Sequence, residues 1–185
     1  MQYIKRIFFF VLTNIAVLAL LSIVMSVVSL FFPNLIQANG GMISLLIYAA
    51  VLGFGGAIIS LLISRWSAKK AYNIILIDEK SSQNDQKLKL VWDTVERISR
   101  IKAIEMPEVG YYESAEPNAF ATGSSKNKSL VAVSTGLLTQ MEKNEIEGVV
   151  GHEMAHILNG DMVTLTLIQG VMNTFVIVLT HLATR

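Results

Sequence analysis

Between Arg6 and Arg65 this chain carries no charged residue. Nothing else in the sequence narrows the possible folds so far, because a stretch of that length cannot stay in water uncovered. Within it, Ile7–Phe32 is an apolar run of 26 residues, broken by Pro33-Asn34 and Gly40-Gly41, and Met42–Ser64 is a second run. Each exceeds the roughly 20 residues a helix needs to cross a bilayer. The first is longer than the roughly 7–15-residue core of a cleaved leader, and another span follows at once, so the pair reads as a transmembrane helical hairpin. Met162–Thr184, also free of charge, reads as a third transmembrane helix.

The basic residues set an orientation. Lys5, Arg6, Arg65, Lys69 and Lys70 flank the outer ends of the hairpin, while Pro33–Gly41 carries no charge. The positive-inside rule then puts the N-terminus and the residues after Ser64 in the cytoplasm, with Trp66 and Tyr72 at headgroup level. Gly56, Ser60 and Ser64, with Gly53 and Ala57 on a neighbouring row, have the spacing that lets helices approach closely. Asn14, Gln169 and Asn173 are expected to form hydrogen bonds between helices.

Residues 65–161 differ in character, and all 14 acidic residues of the chain fall between Asp78 and Asp161. A formal net charge of +1 gives no basic surface for nucleic acid. There is no cysteine, so a metal site here must use histidine and carboxylate. Ser81–Asp85 reads as a linker ending in a helix N-cap. Leu88, Val91, Trp92, Val95, Ile98 and Ile101 then recur at spacings of three and four, which predicts an amphipathic helix. Val109–Tyr112, Ala119–Thr122 and Leu130–Ser134 predict three short strands, the last two joined as a hairpin through the turn-forming Gly123–Ser129. Such a hairpin is either purely structural or an edge that holds an extended peptide by its backbone.

A second helix is expected from about Glu142–Asn144 to Asn159-Gly160, and it contains His152-Glu153-Met154-Ala155-His156. This H-E-x-x-H spacing puts both imidazoles on one helix face, one turn apart, where both reach one zinc ion at roughly 2.0–2.1 Å. Glu153 lies about 100° round the helix, near enough to serve as base toward a water without being a ligand. The chemistry this pattern carries is metal-assisted hydrolysis. The plain alternative is two core histidines with a neighbouring glutamate. Asp161 is either a carboxylate that orients a ligating imidazole or a solvated residue at a helix end.

Several stretches resemble one family throughout their length. They are Phe10–Asn14, Leu52–Gly56, Asn118-Ala119-Phe120-Ala121-Thr122-Gly123, Leu130–Leu138 and His156–Thr164. In these the chain resembles the HtpX family of membrane-bound zinc metalloproteases, relatives of the CAAX prenyl proteases. The resemblance implies an α+β membrane protein. It would comprise two transmembrane helices (about 7–32 and 42–64), a zincin-like cytosolic domain over 65–161 with a small antiparallel sheet and the H-E-x-x-H helix, and a third transmembrane helix over 162–184. It further implies proteolytic quality control of misfolded or damaged proteins of the bacterial inner membrane as a stress response, with the active site facing the cytoplasm. His152 and His156 would hold Zn2+, Glu153 would be the catalytic base, and Asn118 and Ala119 would contact the polypeptide substrate.

The family pattern also has a third zinc ligand, a glutamate on a later helix. No glutamate follows Glu153 here, and the position ten after His152 is Met162. His181 stands at the far end of the third span, a full crossing of roughly 30 Å from the pair. The expectation is therefore an N-terminal portion of a longer enzyme, lacking the C-terminal part of the fold and inactive alone. The competing expectation is a non-catalytic membrane protein that binds peptides or partners through a degenerate zinc site.

Overall fold

A computed structural model describes residues 42–83 and 85–183, with helical residues at 22, 23, 26 and 30; of 42–44 and 181–183 it describes the backbone alone. The expected helix over 7–32, its turn at 33–41, and Lys5, Arg6 and Asn14 lie almost entirely outside the described residues. The chain forms two compact units, Met1–Ile59 with Thr166–Arg185, and Ser60–Leu165.

In the apolar unit, helix α1 (Met42–Ala71) begins, and helix α6 (Asp161–Ala183) ends. These two are long and apolar enough to cross a membrane. They meet where a side chain is missing: a Cβ on Gly53 would stand 2.4 Å from Thr174 Oγ1 and 2.7 Å from the Gly170 carbonyl oxygen. Ala49 and Ala57, one turn either side of Gly53, are buried. The close-packing row is thus Ala49–Gly53–Ala57, whereas Gly56 faces open space. Gln169 donates to Asn173 Oδ1 at 2.7 Å along α6 itself, so this pair bonds within one helix rather than between helices.

α1 does not stop at Ser64 but runs seven residues further, and Lys69 and Lys70 in its last turn complement the helix dipole. At Asn73 the backbone turns left-handed (φ 49°), and Ile74 N–H donates to Lys69 O at 3.1 Å. Strand β1 (Ile75–Ile77) follows directly. Next come the short helix α2 (Glu79–Ser82), helix α3 (Gln86–Lys102) and strands β2 (Glu108–Tyr112), β3 (Ala119–Ser125) and β4 (Lys128–Ser134). Helices α4 (Thr135–Gln140) and α5 (Lys143–Asn159) lead into α6. Asp85 is the N-cap of α3, accepting from Lys87 N and Leu88 N at 2.7 and 3.0 Å.

The strand order is β1-β2-β4-β3. The β3–β4 hairpin is antiparallel, as is β1–β2, but β2 and β4 run parallel. The sheet is therefore mixed, not antiparallel as expected. The cause is burial: Leu130, Val131, Ala132 and Val133 of β4 are all fully buried. A strand apolar on both faces takes an interior place, so β3 passes to the edge and β4 returns between it and β2. One face carries Val109, Val131 and Val133 against Val91 and Val95 of α3 and Ile146, Val150, Met154 and Ile157 of α5. Each such side chain stabilises the fold by about 1.5–3 kcal/mol. On the other face Gly110 lies under Ile74, where a Cβ would come within 2.5 Å of Ile74 Cγ2.

Candidate active site

Helix α5 brings the two histidines together. It starts where the Glu145 carboxylate accepts from Glu142 N–H at 2.8 Å, within the expected start of Glu142–Asn144. It ends at Gly160, whose positive φ of 75° lets its N–H reach the carbonyls of His156 and Ile157, both at 3.1 Å. Ile146, Val150, Met154 and Ile157 face the core. The opposite side leaves His152 exposed, and Glu153 and His156 half-buried. One turn before His152, a Cβ on Gly148 would meet nothing within 4 Å, so this face of the helix is open.

His152 Nε2 and His156 Nε2 stand 3.1 Å apart, with their rings edge to face. Two nitrogens bound to one tetrahedral zinc are about 3.3 Å apart, given bonds of about 2.0–2.1 Å. The other nitrogen of His156, Nδ1, lies 2.6 Å from Asp161 Oδ2. A carboxylate can only accept there, so the proton belongs on Nδ1 and the Nε2 lone pair points at His152. Two imidazole nitrogens so aimed attract only through something positive between them, a proton on His152 or a metal cation. The residues present fit a metal as two of its ligands. Among the described residues no third His, Cys, Asp or Glu joins them. His181 lies 20 residues along α6 from Asp161, about 30 Å at the α-helical rise.

Strand β3 lies beside α5, and Ala119 and Ala121 pack on the core beneath that helix. β3 ends the sheet, so its outer edge is unpaired among the described residues. Its entry is pinned: Asn118 N–H donates to Ser134 Oγ at 2.9 Å, and Ser134 N–H donates to Asn118 O at 2.8 Å. Ser134 Oγ in turn donates to Glu116 O at 2.8 Å and accepts from Leu137 N at 3.0 Å. The Asn118 backbone is therefore spent on the fold and only its exposed side chain remains for a ligand, while Ala119 starts the open edge. Sequence reasoning did not single out Ser134. The signal for it is a serine at a strand-to-helix junction, the usual N-cap position.

Behind this entry Tyr72, Tyr112 and Phe120 form an aromatic trio, with centroids 5.2–5.7 Å apart. Tyr112 and Phe120 meet across β4 because Ala132 and Ser134, which lie between them, are small. Burial raises the Tyr112 phenol above the usual tyrosine range, and the Asn118 side chain opposes the rise without meeting hydrogen-bond geometry.

Comparison with known proteins bears on the same residues. The sequence model of peptidase family M48 matches residues 82–185. The chain is 53% identical over 173 residues to Protease HtpX of Tolumonas auensis, covering 94% of this chain and 57% of that protein. It is 51% identical over 185 residues to a Protease HtpX homolog of Bacillus pumilus, covering 97% and 62%. The chain thus spans about three-fifths of the length of the curated relatives it matches. The crystal structure of S. mikatae Ste24p superposes with a TM-score of 0.55 at 15% identity, over 91% of this chain and 39% of that one, a likeness of fold.

Proposed function

The chain belongs to peptidase family M48, and on that premise we propose that it carries the histidine pair and substrate edge of a membrane-embedded zinc metalloendopeptidase. Its substrates are misfolded or damaged membrane proteins, cleaved as quality control under stress at the cytoplasmic face of a bacterial inner membrane. The observation that carries the reading is the 3.1 Å approach of His152 Nε2 and His156 Nε2 on an open helix face. Two membrane-length helices and the charge distribution of residues 1–70 support the location.

His152 and His156 would hold the metal, which when bound supplies Lewis acidity toward the scissile carbonyl and acidifies water. Asp161 keeps the proton of His156 on Nδ1, which leaves Nε2 free to bind. Glu153 takes the proton of the attacking water and passes it to the departing amine. The outer edge of β3, from Ala119 onward, holds the substrate extended by backbone hydrogen bonds, which demands little of substrate sequence. The Asn118 side chain contacts the peptide where it enters. A third protein ligand comes from outside the described residues.

In a protein of its relatives' full length, Glu153→Gln is expected to keep its metal and lose cleavage of an unfolded protein by about 10²–10⁴-fold. Metal analysis beside a fluorogenic casein assay checks this, and undiminished cleavage removes Glu153 from the reaction. A second reading, a non-catalytic peptide-binding or adaptor protein, is favoured by the two-ligand set among the described residues. It predicts peptide binding with no metal-dependent cleavage at any protein length.

A further inference from the structure

Arg65 is the first charge after the apolar run of α1, so it marks where the helix leaves hydrocarbon. Glu108, the first residue of β2, is held at that level: its carboxylate lies 3.7 Å from Arg65 Nη1 and 3.0 Å from Lys69 Nζ. The left-handed turn at Asn73 brings β1 back against the same last turn of α1. The start of β2 and its neighbour β1 are therefore fixed within about one helical turn of the point where the chain emerges from the apolar phase.

At this level the surface is apolar. Trp66 is 55% exposed, Ile75 50% and Leu76 45%, and the outer edge of β1 is unpaired among the described residues. Leu76 also lines a groove of about 280 Å³ with Trp92, Met106 and Pro107. Lys70 is exposed beside Trp66 on the same helix face, one turn on. Consecutive exposed large apolar residues on an open strand edge are a liability in water. Aromatic, aliphatic and basic side chains together suit the headgroup–acyl boundary.

We propose that the β1 edge, with Trp66, Lys70 and the groove behind Leu76, is a lipid-contact surface that seats the sheet on the bilayer. The occupant is the membrane itself, because the patch is continuous with a membrane-length helix and pinned to its exit by the Arg65–Glu108–Lys69 cluster. The contact is independent of metal and of peptide hydrolysis.

The chain has no cysteine, so single cysteines report without background. Ile75→Cys, Leu76→Cys and, as a control in the exposed β3–β4 turn, Lys126→Cys would carry the fluorophore NBD in the full chain. The host is a nanodisc of phosphatidylcholine and phosphatidylglycerol, with and without headgroup- and shallow-chain spin-labelled lipid. Expected is blue-shifted emission at 75 and 76, with lipid quenching at least about twofold above that at 126. Emission and quenching equal to position 126 overturn the proposal. Blue-shifted emission that spin-labelled lipid does not quench also overturns it, since protein then covers the patch. Trp66→Phe leaves Trp92 in the groove as an intrinsic reporter without touching β1. Its quenching by brominated lipid is expected, and no quenching counts against the lipid surface.

Discussion

His156 has to serve on both sides of its ring, with Nδ1 toward Asp161 and Nε2 toward His152. Replacing the carboxylate tests how far one side sets the other. Asp161→Ala is expected to release His156 to the Nε2–H tautomer and weaken cobalt or zinc binding by about 10–100-fold. Asp161→Asn, whose carbonyl oxygen still accepts, is expected to lose less. Nitrogen-15 shifts of the His156 ring, read in metal-free protein above the histidine titration, check the tautomer, and a competition titration checks affinity. The spacing of the two histidines and Glu153 could be read from sequence because a helix turns four residues into one step. Asp161 could not be resolved that way, since its place depends on the left-handed turn at Gly160. Lys87 was likewise invisible: a lysine in the first turn of an amphipathic helix gives no sign that it donates to the carbonyls of Leu138 and Met141 at the end of α4.

Among the elements, α5 and the crossing from β2 to β3 respond oppositely to the same kind of substitution. Gly136 lies under the crossing, where a Cβ would stand 2.4 Å from Ala115 O and 2.6 Å from Ala115 C, both backbone. Gly136→Ala is expected to cost about 1–3 kcal/mol and lower the thermal midpoint. Gly148 and Gly151 of α5 face open space at helical φ, so Gly148→Ala or Gly151→Ala is expected to gain about 0.5–1 kcal/mol. Melting in detergent checks both signs. Elements long enough to show a period were readable: α3 between its Asp85 cap and Lys102, and the β3–β4 hairpin. Ile101, counted on the buried stripe of α3, is 69% exposed because the helix ends one residue later and Ala103 turns left-handed. β1 escaped because three residues carry no period, and its reason to be a strand is a partner, β2, more than 30 residues away.

For the molecule as a whole, the number of ligands matters more than their type. Two imidazoles and water hold zinc far less firmly than the three protein ligands of a catalytic site. Residues 1–185 alone are therefore expected to bind zinc weakly and to leave casein uncut, and a protein of the relatives' full length is expected to cleave it. Nanomolar affinity and proteolysis by residues 1–185 would mean that the pair is a sufficient site. The membrane character was plain from the charge gap, since exclusion of charge is a property of composition along the chain. The mixed sheet was not, because strand order depends on which strand is buried on both faces, and that is decided only when the helices pack.

That strand order also sets a timetable. β3 and β4 are neighbours in sequence and in space, so their hairpin can close within about 1–10 μs of being available. β2 comes earlier in the chain and can pair with β1 at once, but it must wait for its parallel partner, because β4 exists only after the chain has travelled out to the edge and back. The pins that hold the crossing, Ser134, Thr135 and Gly136, lie at the junction of β4 and α4, so they too form only after β4 is made. During synthesis β2 thus emerges with β1 along one edge and Val91 and Val95 of α3 against Val109, while its other edge stays open. Over the interval between residues 112 and 134 the half-made chain therefore carries an open inner edge that the finished molecule never shows.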